Sequence, residues 1–183
     1  MHPETKILLL AFAWLCCALL PAQSSKSLRL EVSEDDRAAL RLEDDAAEHT
    51  RFSAPLDLDI APAIAPDTYA HENGEWTWSR TFTVPGATGL GLFLDRLSLP
   101  DGGRVTLAND FGEKGPFTQA TDSYKQRLFT DFLPGESVTL TYRGPFPETS
   151  PFHLWLIDHV YRPDRWRDPR DKGFGDANDC HVN

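Results

Sequence analysis

The sequence predicts an all-β fold: an antiparallel β-sandwich with a short N-terminal helix and a flexible C-terminal tail. Three observations carry this expectation. Apolar and polar residues alternate with period two, most cleanly in WTWSRTFTV at residues 76–84, the pattern of a strand with one buried face. Apolar stretches recur at intervals of roughly 8–12 residues, as the strands of a sandwich do. Turn formers stand between them, at Pro85-Gly86, Pro100-Asp101-Gly102-Gly103, Pro134-Gly135 and residues 144–151, where glycine and proline supply the required backbone angles.

Residues 1–22 read as a signal peptide. Lys6 supplies the positive start and residues 7–20 form an apolar run of 14 residues, short for a membrane span. The small Ala22 places the cut between Ala22 and Gln23, and the product is expected to be secreted, extracellular or periplasmic, with no membrane attachment afterwards. Lipid anchoring at Cys16 or Cys17 is the rival. It calls for a small residue before the acylated cysteine, whereas Leu15 precedes Cys16 and Cys17 follows Cys16.

Residues 23–32 form an N-terminal segment in which Leu28, Leu30 and Val32 alternate as a short strand. Residues 34–48 are rich in Ala, Leu, Glu, Asp and Arg, with Ser33 placed to cap a helix. Leu40 shares its face with Asp36, Glu43 and Asp44, so the apolar stripe is thin and the helix is expected to be marginal. Leu56, Leu58 and Ile60 alternate weakly before Pro62 and Pro66 end that strand.

The β pattern then strengthens. Trp76, Trp78, Phe82 and Val84 share one face with Arg80, and Thr77, Ser79, Thr81 and Thr83 the other, which marks a central strand. Residues 90–99 are almost continuously apolar, so both of their faces are expected to be covered. Val105 and Leu107 lie on the next strand, and Asn109-Asp110-Phe111-Gly112 forms a turn. Residues 128–133, 138–142 and 152–161 supply three more strands.

Length and charge bound the function. A chain of 183 residues with 40% hydrophobic and 25% charged content accommodates one cored domain with tails. A net charge of -10 argues against a nucleic-acid surface. Of 3 cysteines, two leave with the signal peptide, so Cys180 stands alone in an oxidising compartment. Its disulfide partner, if it has one, belongs to another chain or lies beyond Asn183.

Catalytic chemistry finds little support. A trypsin-like site needs a serine in a tight glycine turn, a histidine base and an aspartate that orients it. Neither G-D-S-G-G nor A-A-H-C occurs. His49 and His71 sit in polar stretches, and His153 and His159 alternate with Trp155 and Ile157, as strand residues rather than a base. No metal site or cofactor is expected: Cys and His are not clustered at zinc spacing. Asp57 with Asp59, or Asp44 with Asp45, do not complete a calcium loop and read as solvated faces. Trp76 and Trp78 suit a sugar-stacking platform, but sharing a face with Phe82 and Val84 points to core packing.

The end of the chain changes character. After YRPDRWRDPRDK, residues 161–172, comes the small, polar GFGDANDCHVN of residues 173–183. These last residues resemble the start of the mature catalytic domain in secreted bacterial trypsin-like serine proteases of the lysyl endopeptidase type, through Cys180-His181-Val182-Asn183. FLDRLSLPDGGRVTLAND (93–110), GPFT (115–118), LPGESVTLTY (133–142) and IDHVYR (157–162) are similar, in order and spacing over 33–162, to the non-catalytic β module that precedes that domain.

The resemblance implies a pro-region module at 33–162, a linker at 163–172 and a stump of protease domain at 173–183. The module would assist folding of the catalytic domain, mask it, or both. Its partner would be the cognate protease domain in cis beyond Asn183, joined through a disulfide from Cys180 and released by a cut between Lys172 and Gly173. The chain itself would not be an enzyme, although its full-length parent would be a serine endopeptidase. The catalytic domain is not in this sequence, nor is a partner for Cys180. Two other readings stand beside it: an accessory module that binds extracellular or cell-wall polysaccharide through an exposed Trp76, Trp78 or Trp155, and a stand-alone secreted domain with a reactive Cys180.

Overall fold

A computed structural model describes residues 26–47, 51–119, 126–164 and 166. Among these described residues, eleven strands and one α-helix follow one another as β1 (Lys26–Arg29), α1 (Glu34–Ala46), β2 (Ser53–Ile60), β3 (Ala70–Glu72), β4 (Glu75–Thr83), β5 (Gly89–Asp95), β6 (Arg104–Asn109), β7 (Gly112–Phe117), β8 (Leu128–Phe129), β9 (Leu133–Pro134), β10 (Ser137–Gly144) and β11 (His153–Val160). They form two sheets, so the fold is the all-β sandwich with one short helix that the alternation predicts. The first sheet runs β1-β4-β10-β6-β7, with β3 also on β4. The second runs β2-β11-β5-β8, with β9 also on β5. Every pairing is antiparallel except β1 on β4, which is parallel.

Strand β4 lies inside the first sheet, between β10 on one side and β1 with β3 on the other. Trp78, Phe82 and the following Val84 turn inward and are buried, whereas Thr77, Ser79, Thr81 and Thr83 keep some exposure. On the outer side hydroxyls pair across strands, Thr81 with Thr139 at 2.9 Å and Thr83 with Ser137 at 3.0 Å. The core gathers Phe82, Val105, Leu107, Leu140 and Tyr142 of the first sheet against Leu90, Leu92, Leu94, Leu154 and Ile157 of the second. Trp78 meets Phe152 edge to face at 5.5 Å.

Four details depart from the sequence expectations. Alternation places His153, Trp155, Ile157 and His159 on one face, but β11 carries a register shift between Leu154 and Leu156. Leu154 and Ile157, three positions apart, both enter the core, so Trp155 is turned outward while His159 is buried. A bulge adds one unpaired residue and flips the alternation beyond it. The strand expected over 128–133 is two short strands, because Asp131 adopts φ +62° between them. The apolar run 90–99 leaves the sheet at Arg96, φ +50°, while Leu97 and Leu99 stay buried.

The remaining departure is β7, GEKGPF, which has no alternation because it lies at the sheet edge and is held by backbone pairing to β6. Asn109 shapes the turn before it: its side-chain oxygen accepts from the Phe111 amide at 2.9 Å, and its nitrogen donates to the carbonyls of Pro134 and Ser137 at 2.7 and 3.0 Å. The N-terminal segment, which precedes the 33–162 module and whose alternation predicts a short strand, contributes β1 to the first sheet.

Because Phe82 is 0% exposed, Phe82→Ala is expected to lower stability by about 3–5 kcal/mol, measured by urea unfolding. An unchanged midpoint would remove β4 from the core.

Candidate functional site

The outer face of the second sheet is unusual for what it lacks. In β5, Leu90, Leu92 and Leu94 point into the core, so Gly89, Gly91, Phe93 and Asp95 form the outer row. The two glycines leave a trough. A Cβ on Gly91 would lie 2.8 Å from the Phe129 ring and 3.2 Å from that of Phe132, and one on Gly89 would lie 2.8 Å from the ring of Trp166. Aromatic rings therefore rest directly on the backbone of β5.

The rings form a continuous series. Trp166 lies 6.1 Å from Phe132, Phe132 lies 5.4 Å from Phe129, Phe129 stacks on Phe93 at 4.3 Å, and Phe93 meets Trp155 at 5.9 Å. The Trp166 end is covered. The far end is open: Trp155 is 37% and Phe129 39% exposed. Opposite Gly91 in the register sits Asp158, whose carboxyl accepts from Ser53 at 2.9 Å. Burial raises the Asp158 pKa, and the Ser53 hydrogen bond offsets this in part.

A pocket of mixed character lies beside His153. His153 and Asp95 face each other across β11 and β5, with Nδ1 2.7 Å from an Asp95 oxygen, while Nε2 is 2.9 Å from Asp59 of β2. The pocket beside them measures about 350 Å³ and is lined by Arg96, Ser98, Gln126, Thr149, Ser150 and His153. His153 has the aspartate of a catalytic pair, but the ring nitrogen that would face a nucleophile is occupied by Asp59. Among the described residues no group of three His, Cys, Asp or Glu side chains is arranged to hold a metal ion.

At the other end of β11, helix α1 is anchored by charge rather than by apolar contact. Ser33 caps it, accepting from the Asp36 amide at 3.0 Å. Its buried residues are Arg37 and Asp44, whereas Leu42 is 72% exposed. Arg37 donates to the carbonyl of Pro85 in the β4–β5 turn. The Asp44 carboxylate accepts from the Tyr161 hydroxyl and pairs with Arg51 at 2.7 Å. Arg41 donates to the Tyr161 carbonyl at 3.1 Å, and Arg162 pairs with Asp45 at 2.7 Å. Burial opposes ionisation of Asp44, but Tyr161 and Arg51 together hold its pKa below the ordinary value. His159 is buried nearby, and burial, reinforced by the charge of Arg37 on that helix, lowers its pKa.

The residues singled out from sequence fall as follows. Ala22, Gln23, Lys172, Gly173 and Cys180 lie outside the described residues, as does His49. Trp78 is buried and Trp76 half-buried in the core, with His71 stacked on Trp76 at 4.4 Å. Among the described residues Trp155 is the most exposed tryptophan. Asp44 is a buried anchor paired with Arg51 rather than part of a solvated face, whereas its neighbour Asp45 is exposed and pairs with Arg162. Arg162 is likewise tied down, and Trp166, inside the expected linker, packs on the sheet. Sequence reasoning missed the trough. Its signal was present in GLGLFLD, where two glycines alternate with three leucines and leave one strand face bare.

No protein-family model matches the sequence, and no curated protein matches it. Among solved structures, the CUB1-EGF-CUB2 domains of rat MASP-1 align with 73% of this chain at 11% identity and a TM-score of 0.34. The chain spans 42% of the length of that structure, and a likeness this distant carries no functional inference.

Two pH effects of opposite sign are expected. His159 and Asp44 have lowered pKa values in the folded chain. Their contributions are fully present above the ordinary values of 6.5 and 3.8 and are lost as pH falls through the folded ones. Urea midpoints should therefore begin to fall just below pH 6.5, and His159→Leu should remove that first limb. Asp158, with its pKa raised, contributes most at low pH and loses its contribution as pH rises. Asp158→Asn should raise the melting temperature at neutral pH and leave it unchanged in acid.

Proposed function

We propose that the chain is a non-catalytic module of an exported protein, serving as the pro-region of a trypsin-like serine protease of the lysyl endopeptidase type. It assists folding of the catalytic domain, masks it before cleavage, or both. The observation that carries this reading is the path of the chain: Trp166 is seated over Gly89 at the covered end of the aromatic trough. The residues after Trp166 thus start from a face on which aromatic side chains are gathered and partly open. The sequence resemblance over 33–162 and at Cys180-His181-Val182-Asn183 points the same way.

In this reading the maturation cut falls between Lys172 and Gly173, six positions beyond Trp166. Pro163 and Pro169 oppose regular structure around Arg165, Arg167 and Arg170, and extended backbone is what a protease binds. An enzyme that cuts after lysine performs the step on itself. Cys180 then forms a disulfide with a cysteine of the downstream domain, worth about 2–4 kcal/mol. N-terminal sequencing of the secreted enzyme tests the reading. A start at Gly173 is expected, whereas a start after an arginine points to a helper protease. An uncleaved chain with full activity overturns it.

The exposure of Trp155 favours one second reading, an accessory module for extracellular or cell-wall polysaccharide. There Trp155 and Phe129 would stack on sugar rings, with Asp59 and Asp95 beside them as hydrogen-bond acceptors. Sedimentation with insoluble polysaccharide, lost in Trp155→Ala, is its expected signature.

A further inference from the structure

We propose that the open end of the aromatic trough binds a polysaccharide whose sugars carry free amino groups, an inference that rests on the polysaccharide reading of this face. Trp155 lies under a sugar ring, and Asp57 and Asp59 receive its ammonium group.

Trp155 is the residue set out by the register shift in β11. Its neighbour Leu156 pairs with Asp57 of β2 on one side and with Phe93 of β5 on the other, so Trp155 stands between carboxylates and rings. The apolar surface continues from Trp155 to Phe93 at 5.9 Å and on to Phe129 at 4.3 Å. Trp155 and Phe129 are both open to solvent. A sugar offers such a surface the apolar face of its ring.

Charge selects the kind of sugar. Asp57 and Asp59 are exposed on β2, the strand beside β11. The Asp57 carboxylate has no hydrogen-bond or ion-pair partner among the described residues. Asp59 and Asp95 share one imidazole, that of His153, so even a protonated ring balances one of these two charges and not both. The nearby cations lie away from β2: Arg96 follows β5, 3.9 Å from Asp95, and Arg127 precedes β8 at the other side of the sheet. The β2 margin therefore keeps its negative charge beside an exposed indole, the combination that attracts an ammonium group. An acidic sugar is repelled there, and a neutral one leaves the carboxylates unused. A polymer of amino sugars repeats an apolar ring face and a cation at every residue, whereas a lysine side chain brings the cation without the ring.

Calorimetric titration of the secreted chain tests this with three probes: a glucosamine hexamer, the same hexamer fully N-acetylated, and hexalysine. The pH is set mildly acidic, where the amines are charged and exposed aspartates ionised. The glucosamine hexamer should bind about tenfold more tightly than either other probe. Trp155→Ala and Asp57→Asn should each weaken it about fivefold. Asp110→Asn, the same charge change in the β6–β7 turn of the first sheet, should leave it unaltered. Asp57 is exposed, so its variant keeps the test decisive even where Trp155→Ala lowers stability. Equal affinity for the acetylated hexamer overturns the proposal and leaves the polysaccharide reading standing, whereas binding of neither hexamer removes both. Hexalysine bound as tightly, with the same loss in Trp155→Ala, overturns it in favour of a basic peptide. Equal weakening by Asp110→Asn also overturns it, because an acidic chain then attracts any polycation. The pro-region reading is decided by the start of the mature enzyme and is untouched by these outcomes.

Discussion

The register of β11 is the constraint on which both faces of the second sheet depend. A strand without interruption would commit Leu154 and Ile157 to opposite faces. The shift between Leu154 and Leu156 lets both enter the core, and it turns Trp155 out to join Phe93 and Phe129. It also leaves His153 opposite Asp95 on the outer side while His159 is buried. A single irregularity therefore builds the core and the outer aromatic surface at once. Bulges of this kind re-aim side chains without breaking the sheet.

Helix α1 obeys a different logic. Its apolar stripe is too thin to hold it by burial, and its intrinsic stability is small for a helix of this length. It is held by donors and acceptors at fixed positions: Arg37 on Pro85, Asp44 on Tyr161 and Arg51, Arg41 on the Tyr161 carbonyl. Such contacts specify one orientation sharply, because a buried charge that loses its partner is costly. They also make the helix responsive to pH, which the strands packed around Phe82 are not.

How much of this was legible in the sequence depended on whether the controlling contact was local. Strand β4 was, because alternation records burial residue by residue, and the Ser33 cap was, because its partner Asp36 is three positions away. The β11 bulge was not, since an extra residue in a ladder leaves no mark on the strand that carries it. The Asp44 anchor was not, since Tyr161 lies 117 positions later and an acidic pair on a helix looks solvated. The trough takes its rings from β5, β8, β11 and the loops beside them, so only the bare glycine row of β5 hinted at it.

The edges of the two sheets have a consequence of their own. In the first sheet, one border is the four-residue β1, bearing Lys26 and Arg29, with β3 beside it. The other border is β7, which carries Lys114, paired to Asp131 at 2.8 Å, and Pro116, which offers no amide hydrogen. In the second sheet β2 carries Pro55, Asp57 and Asp59, and β8 and β9 are two residues each. Short, charged or proline-bearing edges resist edge-to-edge joining of sheets, the common route to aggregation of β proteins. Pairing of another chain onto a sheet edge is therefore disfavoured at each of these borders.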